Sequence, residues 1–184
     1  MHKSVRTRSK RGLALALGAA LLVGPVLADA GADLPAGPKE NLVQWAGDDA
    51  AALMALLGHS QGVEAWRGEL ADLADEAAIE ALAGYLALNT PADAAGDSVA
   101  AMVAALPLDG KELFVDNCLA CHGGDSYFLQ RDMGEDEWMA IFDAPYHRRL
   151  LTEGAERETF ASYAAATTPL VLDPVPDTLG DARE

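Results

Sequence analysis

Apolar residues recur along this chain at helical rather than strand spacing. Leu53, Met54, Leu56 and Leu57 lie between Asp48/Asp49 and Gly58, a start-and-stop pattern that predicts a short helix. Ile79, Leu82 and Leu86 share one face of a second helix expected over 75–88, with Pro91 just beyond its end. Val99, Met102, Val103 and Leu106 fall at i, i+3, i+4 and i+7 and predict a third helix over 98–106. Trp138, Ile141 and Phe142 mark the buried face of a fourth over 134–142. Glu135, Asp136 and Glu137 suit the positive N-terminal end of that helix, and Pro145 blocks its continuation. The β-branched alternation of strands is nearly absent, so the pattern predicts an all-α chain.

The two ends follow other rules. Residues 1–12 carry Lys3, Arg6, Arg8, Lys10 and Arg11 without an acid, and an apolar run fills 13–27. That run is too short and too Gly/Pro-marked for a comfortable membrane span. Small residues follow at signal-peptidase spacing, as Val26-Leu27-Ala28 or Ala28-Asp29-Ala30. Residues 1–30 therefore read as a bacterial export signal, which predicts a periplasmic protein with no membrane span after cleavage. Residues 31–41, rich in Gly, Pro and Asp, are expected to be a flexible lead, and the proline-marked 169–184 an extended tail.

The net charge is −16, and removal of 1–30 takes away five basic residues but only Asp29. Eight basic residues then face twenty-eight acidic ones, a net of about −20. Nucleic acid and anionic lipid are poor partners for such a chain. A protein with a basic docking face is favoured on long-range electrostatics, unless the acids serve solubility alone.

The chemistry is concentrated in Cys118-Leu119-Ala120-Cys121-His122. The only two cysteines of the chain stand three apart and are followed directly by histidine. On a helical turn, thiols at i and i+3 share a face and can add to the two vinyl groups of a porphyrin, while the next imidazole binds its iron. A covalently held haem c is the expectation. A redox disulfide with this spacing belongs at a strand-to-helix junction, of which there is no pattern here. A structural zinc site needs four ligands, and His59 and His147 are the obvious additions after the signal is removed. A plain disulfide leaves the histidine unexplained.

The stretch Gly110-Lys111-Glu112-Leu113-Phe114-Val115-Asp116-Asn117 leading into this motif resembles the N-terminal helix of class I c-type cytochromes. In that family a glycine and an aromatic one turn later pack against an aromatic on the C-terminal helix. Gly110 and Phe114 match the first two, and Tyr163 suits the third. The resemblance spans about 106–168 and implies a cytochrome c haem domain over 96–168, with His122 as the proximal ligand. The family usually supplies a methionine as the sixth ligand from the loop before the last helix. Here the loop 143–154 holds no methionine, but it holds His147. Bis-histidine ligation by His122 and His147 is the expectation, with Met139, Met133 or an open iron as alternatives. Two imidazoles lower the reduction potential relative to a His/Met pair. Arg148 and Arg149, and Arg131 by the same reasoning, are candidate partners for the haem propionates.

A weak repeat links the two halves. Glu80–Pro91 and Glu158–Pro169 agree at six of twelve positions, and Trp66 and Trp138 precede them at comparable distances. Residues 42–95 are thus expected to be a small helical domain that repeats the cytochrome fold without haem. Ala55–His59 falls where its attachment motif would lie, but no cysteine stands there. The function expected from the whole is single-electron transfer, as a free carrier or as the cytochrome subunit of an oxidoreductase. A haem enzyme or gas-binding protein is the alternative, and it requires an open sixth position on the iron.

Overall fold

A computed structural model of the chain describes residues 34–73, 75–122 and 126–170. The export signal, residues 31–33 of the lead and 171–184 of the tail lie outside the described residues. Every described element is helical. In order they are α1 (Pro38–Ala46), α2 (Ala50–Leu57), α3 (Val63–Glu69), α4 (Glu76–Asn89), α5 (Val99–Ala104) and α6 (Gly110–Leu113). The last of these runs on through a π-helical segment (Phe114–Leu119) into α7 (Ala120–His122). A 3₁₀ turn (Ser126–Gln130), α8 (Glu135–Ala140), a second 3₁₀ turn (Ile141–Asp143) and α9 (Glu156–Thr167) complete the set. Among the described residues no helix is long and apolar enough to cross a membrane.

Helix starts follow the capping chemistry in the sequence. The side chains of Asp49, Asp75, Ser98 and Asp109 accept from the first-turn amides of Ala52, Ala77, Ala101 and Glu112. Each bond satisfies an amide that has no partner inside its own helix. The helices then close over two apolar cores. Leu42, Leu53, Leu57, Trp66, Leu82, Leu86 and Met102 fill the first. Phe114, Leu129, Trp138, Phe142, Phe160 and Tyr163 fill the second.

The repeat extends well beyond the segment visible in the sequence. At a displacement of 72 residues, Leu34, Pro35, Lys39, Glu40 and Val43 match Leu106, Pro107, Lys111, Glu112 and Val115. Gly62 and Trp66 match Gly134 and Trp138 at the same displacement. Equivalent backbone bonds accompany the match. Ala92 N–H donates to Leu57 O at 2.9 Å, and Leu170 N–H donates to Leu129 O at 2.8 Å. Contacts between the halves are reciprocal. Lys39 pairs with Glu112 and Lys111 with Glu40, each at 3.0 Å. The Tyr85 hydroxyl donates to Pro107 O and the Tyr163 hydroxyl to Pro35 O, each at 2.8 Å. Reciprocity of this kind is the signature of a two-fold interface, here built within one chain.

Four differences from the sequence reading have physical reasons. Residues 34–41 are anchored, not a flexible lead: Leu34 is buried in the second core, Asn41 is buried, and α1 begins at Pro38. Their partners are the Tyr163 hydroxyl and Asp109, far along the chain, which local composition cannot reveal. The helix expected over 98–106 opens the haem domain in the sequence reading, yet Val99, Met102, Val103 and Leu106 pack into the first core. Helix α3 has too few periodic apolar positions to predict, and only Trp66 among its residues is buried. Finally, the displacement of 72 sets Ala46, Asp49 and Ala50, rather than 55–59, opposite Cys118, Cys121 and His122. His59 instead rests on the Trp66 ring at 4.9 Å.

Gly110 and Phe114 do meet Tyr163. The Phe114 and Tyr163 rings lie edge to face with centroids 6.5 Å apart. A Cβ on Gly110 would overlap Tyr163 Cβ and approach Thr159 O at 2.8 Å. Gly110→Ala is therefore expected to destabilise the fold by about 1–3 kcal/mol, the usual cost of overpacking, despite a gain in helix propensity. Denaturant titration checks this; an unchanged midpoint would mean that α6 and α9 do not touch here.

Candidate functional site

A cavity of about 570 Å³ opens in the second half. Its size lies within the roughly 300–1,000 Å³ common for ligand and cofactor sites. The walls are largely apolar, with Phe128, Trp138, Ile141, Phe142 and Leu150 among them. Cys118, Cys121 and His122 enter from one side and Tyr146 and His147 from the loop after the second 3₁₀ turn.

The π-helical segment contains Cys118, and α7 carries Cys121 and His122 directly after it. Its wider turn rotates the residues that follow it relative to a straight α-helix, and such segments recur at functional sites. Asn117 helps to hold it, donating its side-chain amide to Leu113 O at 3.0 Å. The two cysteines are not bonded to each other; Cys118 is half-buried and Cys121 exposed. Burial, with the neighbouring Cys121 thiol, pushes the Cys118 thiol up to about 12. Alkylation of cofactor-free protein is expected to modify Cys121 well before Cys118, because Cys121 is the exposed thiol. Peptide mass spectrometry over a time course reads the order, and equal rates would contradict the packing of this turn.

The His122 and His147 rings are neighbours in an edge contact. Their ring centroids are 6.2 Å apart with planes at 60°. Two imidazole nitrogens at about 2 Å from opposite sides of one metal ion set ring centres about 6 Å apart. The His147 ring also has an orienting partner, since Nδ1 lies 3.2 Å from Ile141 O. With its proton on Nδ1, that ring donates to the carbonyl and keeps the Nε2 lone pair for a metal. His122 is packed against Phe128, with centroids 5.1 Å apart.

The remaining expected residues divide. Met133 lines the cavity, whereas Met139 packs on the second core outside the lining. Arg131 lines the cavity, whereas Arg148 and Arg149 are exposed and lie outside the lining. A propionate inside the cavity would meet Arg131 and not those two. Tyr146 and Phe128 are lining residues that the sequence reading missed; an aromatic directly before His147 is the one local signal for either. The indole Nε1 of Trp138 is buried without a partner, and so is that of Trp66 in the first core. The feature thus follows the repeat and carries no weight for a ligand. Among the described residues no group of three or more His, Cys, Asp or Glu is placed to hold a bare metal ion.

The donor set, two thiols and an imidazole on one wall with a second imidazole across an apolar cavity, fits a covalently attached haem. No known family profile matches the chain, and no curated protein or solved structure matches it either.

Proposed function

We propose that this protein is a one-electron carrier of the c-type cytochrome class, exported to the periplasm. Cys118 and Cys121 would hold one haem through thioether bonds, and His122 and His147 would ligate its iron. The bound group supplies a reversible one-electron couple of its iron. The chain's own residues do the rest. The apolar walls keep water from the site, the Ile141 carbonyl holds the His147 ring in a ligating orientation, and the π-helical turn presents both thiols and His122 together. A metal ligated on both sides has no vacant position, which favours electron passage over substrate chemistry.

The observation that carries the reading is the 6.2 Å separation of the His122 and His147 rings across the cavity that also receives both thiols. Expression with its export signal, in a bacterium competent for cytochrome maturation, tests it. The purified chain is expected to keep haem through a denaturing gel, shown by peroxidase staining. Cys118→Ala/Cys121→Ala is expected to lose the stained band entirely. Colourless wild-type protein with both thiols free overturns the reading.

A further inference from the structure

The loop that carries His147 has little of its own to hold it. Residues 144–151 lie between the second 3₁₀ turn and α9, and their backbone bonds stay local. The N–H groups of His147 and Arg148 donate to Ala144 O, and that of Leu150 donates to His147 O. The ring contact of His147 is equally short-range, with Ile141 O six residues back. At Leu151 the backbone passes through φ 49°, in the left-handed region. A leucine keeps that conformation only where its surroundings impose it. Burial of Leu151 in the second core is one such constraint.

Arg157 supplies the other. Its Nε and Nη2 donate to Leu150 O at 3.1 and 3.0 Å, and Nη2 also donates to Arg148 O at 2.7 Å. The guanidinium lies over the ring of Phe142, a cavity-lining residue, 4.8 Å from its centroid. Among the described residues no other hydrogen bond joins 144–151 to an α-helix, and Arg157 forms no ion pair. It stands in the first turn of α9, the positive end of the helix dipole, where a cation is disfavoured. Helix stability therefore does not account for it. The same helix supports the attachment motif. Three residues on from Arg157, Phe160 stacks on Phe114 with centroids 5.3 Å apart, and Phe114 opens the π-helical segment that contains Cys118. Both walls of the cavity are thus referred to one face of α9.

We infer that Arg157 is a positioning residue: by clamping the carbonyls of Arg148 and Leu150 to α9, it holds the His147 imidazole in its place opposite His122. The inference rests on the proposed ligation by His147 for its purpose. One planar fork bonded to two carbonyls, two residues apart, leaves the turn after His147 a single course. An imidazole held in this way loses little freedom when it binds a metal, and after dissociation it stays within reach. Lysine cannot do the same, since its ammonium is a point charge on a flexible stem.

Two measurements on the full chain test the inference. When the reduced haem protein is mixed with carbon monoxide, any uptake is limited by release of the sixth ligand. Arg157→Ala is expected to speed uptake by about 10–100-fold, the usual effect of losing an outer partner of a metal ligand. Arg157→Lys, which keeps the charge without the fork, is expected to remain well above the wild type. Gly84→Ser, which crowds Ser162 and does not touch the loop, should leave the rate within about twofold, as expected of distant, independent sites. A role in stability alone would move all three variants together. The second measurement, amide hydrogen exchange read by peptide mass spectrometry, needs no haem. In Arg157→Ala, exchange over 144–151 is expected to quicken about tenfold, from the loss of charge-assisted hydrogen bonds, while 158–167 stays as in the wild type. Unaltered exchange, faster exchange with carbon monoxide uptake unmoved, or full recovery by Arg157→Lys overturns the inference. Colourless protein overturns the haem reading, and the exchange over 144–151 then decides by itself whether Arg157 holds the His147 loop.

Discussion

His147→Ala is expected to convert a protein that ignores carbon monoxide when reduced into one that binds it within the dead time of rapid mixing. On the proposed ligation by His122 and His147, whose ring centroids lie 6.2 Å apart, carbon monoxide has to displace a ligand. Removing His147 would open a position in a cavity that Phe142, Leu150 and Met133 help to line, and of these three only Met133 carries a metal-binding atom. The absorption spectrum should pass from six-coordinate low-spin to a mixture with high-spin character. Met139→Leu should leave the spectrum unchanged, because Met139 lies outside the cavity lining. Met133→Leu is the sharper control, since Met133 does reach the lining. A spectrum that responds to Met133→Leu and not to His147→Ala would transfer the sixth position to the thioether. His147→Met is expected to raise the reduction potential by on the order of 0.1 V, since a thioether favours the reduced iron and axial ligands tune such potentials widely.

What the sequence tells about this site depends on whether the information is local. The attachment motif is local: two thiols and an imidazole within five residues carry their geometry with them. His147 is semi-local, being the one histidine after the motif in a loop that lacks methionine. Which arginine faces the cavity is not local at all. Arg148 and Arg149 point outward because a 3₁₀ turn and the Arg157 bonds fix the course of the loop, and neither device has a sequence signature. Periodicity reports that a helix has an apolar face but not which core it meets. The apolar spacing of α5 thus predicts a helix without showing that Val99, Met102 and Val103 pack into the first core.

The repeat shows the same limit in another form. Trp66 and Tyr85 are 19 residues apart, while Trp138 and Tyr163 are 25 apart. Six additional residues therefore sit between those landmarks in the second half, and no single register aligns both ends of the repeat. Aligned by its last helix, a displacement of 78, the first half sets Glu40–Gln44 opposite Cys118–His122; aligned by Trp66 and Lys39 it sets Ala46–Ala50 there, and neither register brings His59 to the motif. The extra length falls in the stretch that includes His147 and the two arginines. The first half, which lacks both cysteines and this extension, keeps the fold and the interface but none of the site's donors. Its contribution is to bury Leu34 and hold Asp109 and Tyr163 through the reciprocal contacts, which stabilises the helix that carries the motif.

The crossing of α4 and α9 offers a direct test of that internal symmetry, with the other large effect. Gly84 and Ser162 occupy equivalent positions of the repeat, four residues after Glu80 and Glu158. They also face each other: a Cβ at Gly84 would overlap the Ser162 hydroxyl and stand 3.1 Å from Ser162 Cβ. Gly84→Ser puts two hydroxymethyl groups where the helices leave room for one, and is expected to cost about 2 kcal/mol. For a fold of this size that lowers the melting temperature by roughly 5–10 °C. Gly84→Ser/Ser162→Gly exchanges the pair across the crossing and restores a single hydroxyl between the helices. The helix-propensity cost of glycine, about 1 kcal/mol, merely moves from one helix to the other. Recovery of most of the lost stability is therefore expected, giving a coupling of at least about 1 kcal/mol between the two sites. Haem-band and far-ultraviolet melts should coincide in all three proteins, because a substitution in the half without cysteines acts on the half that carries them. Additive effects, or a haem band that holds while the first half melts, would show that the two repeats share a chain but not a fold.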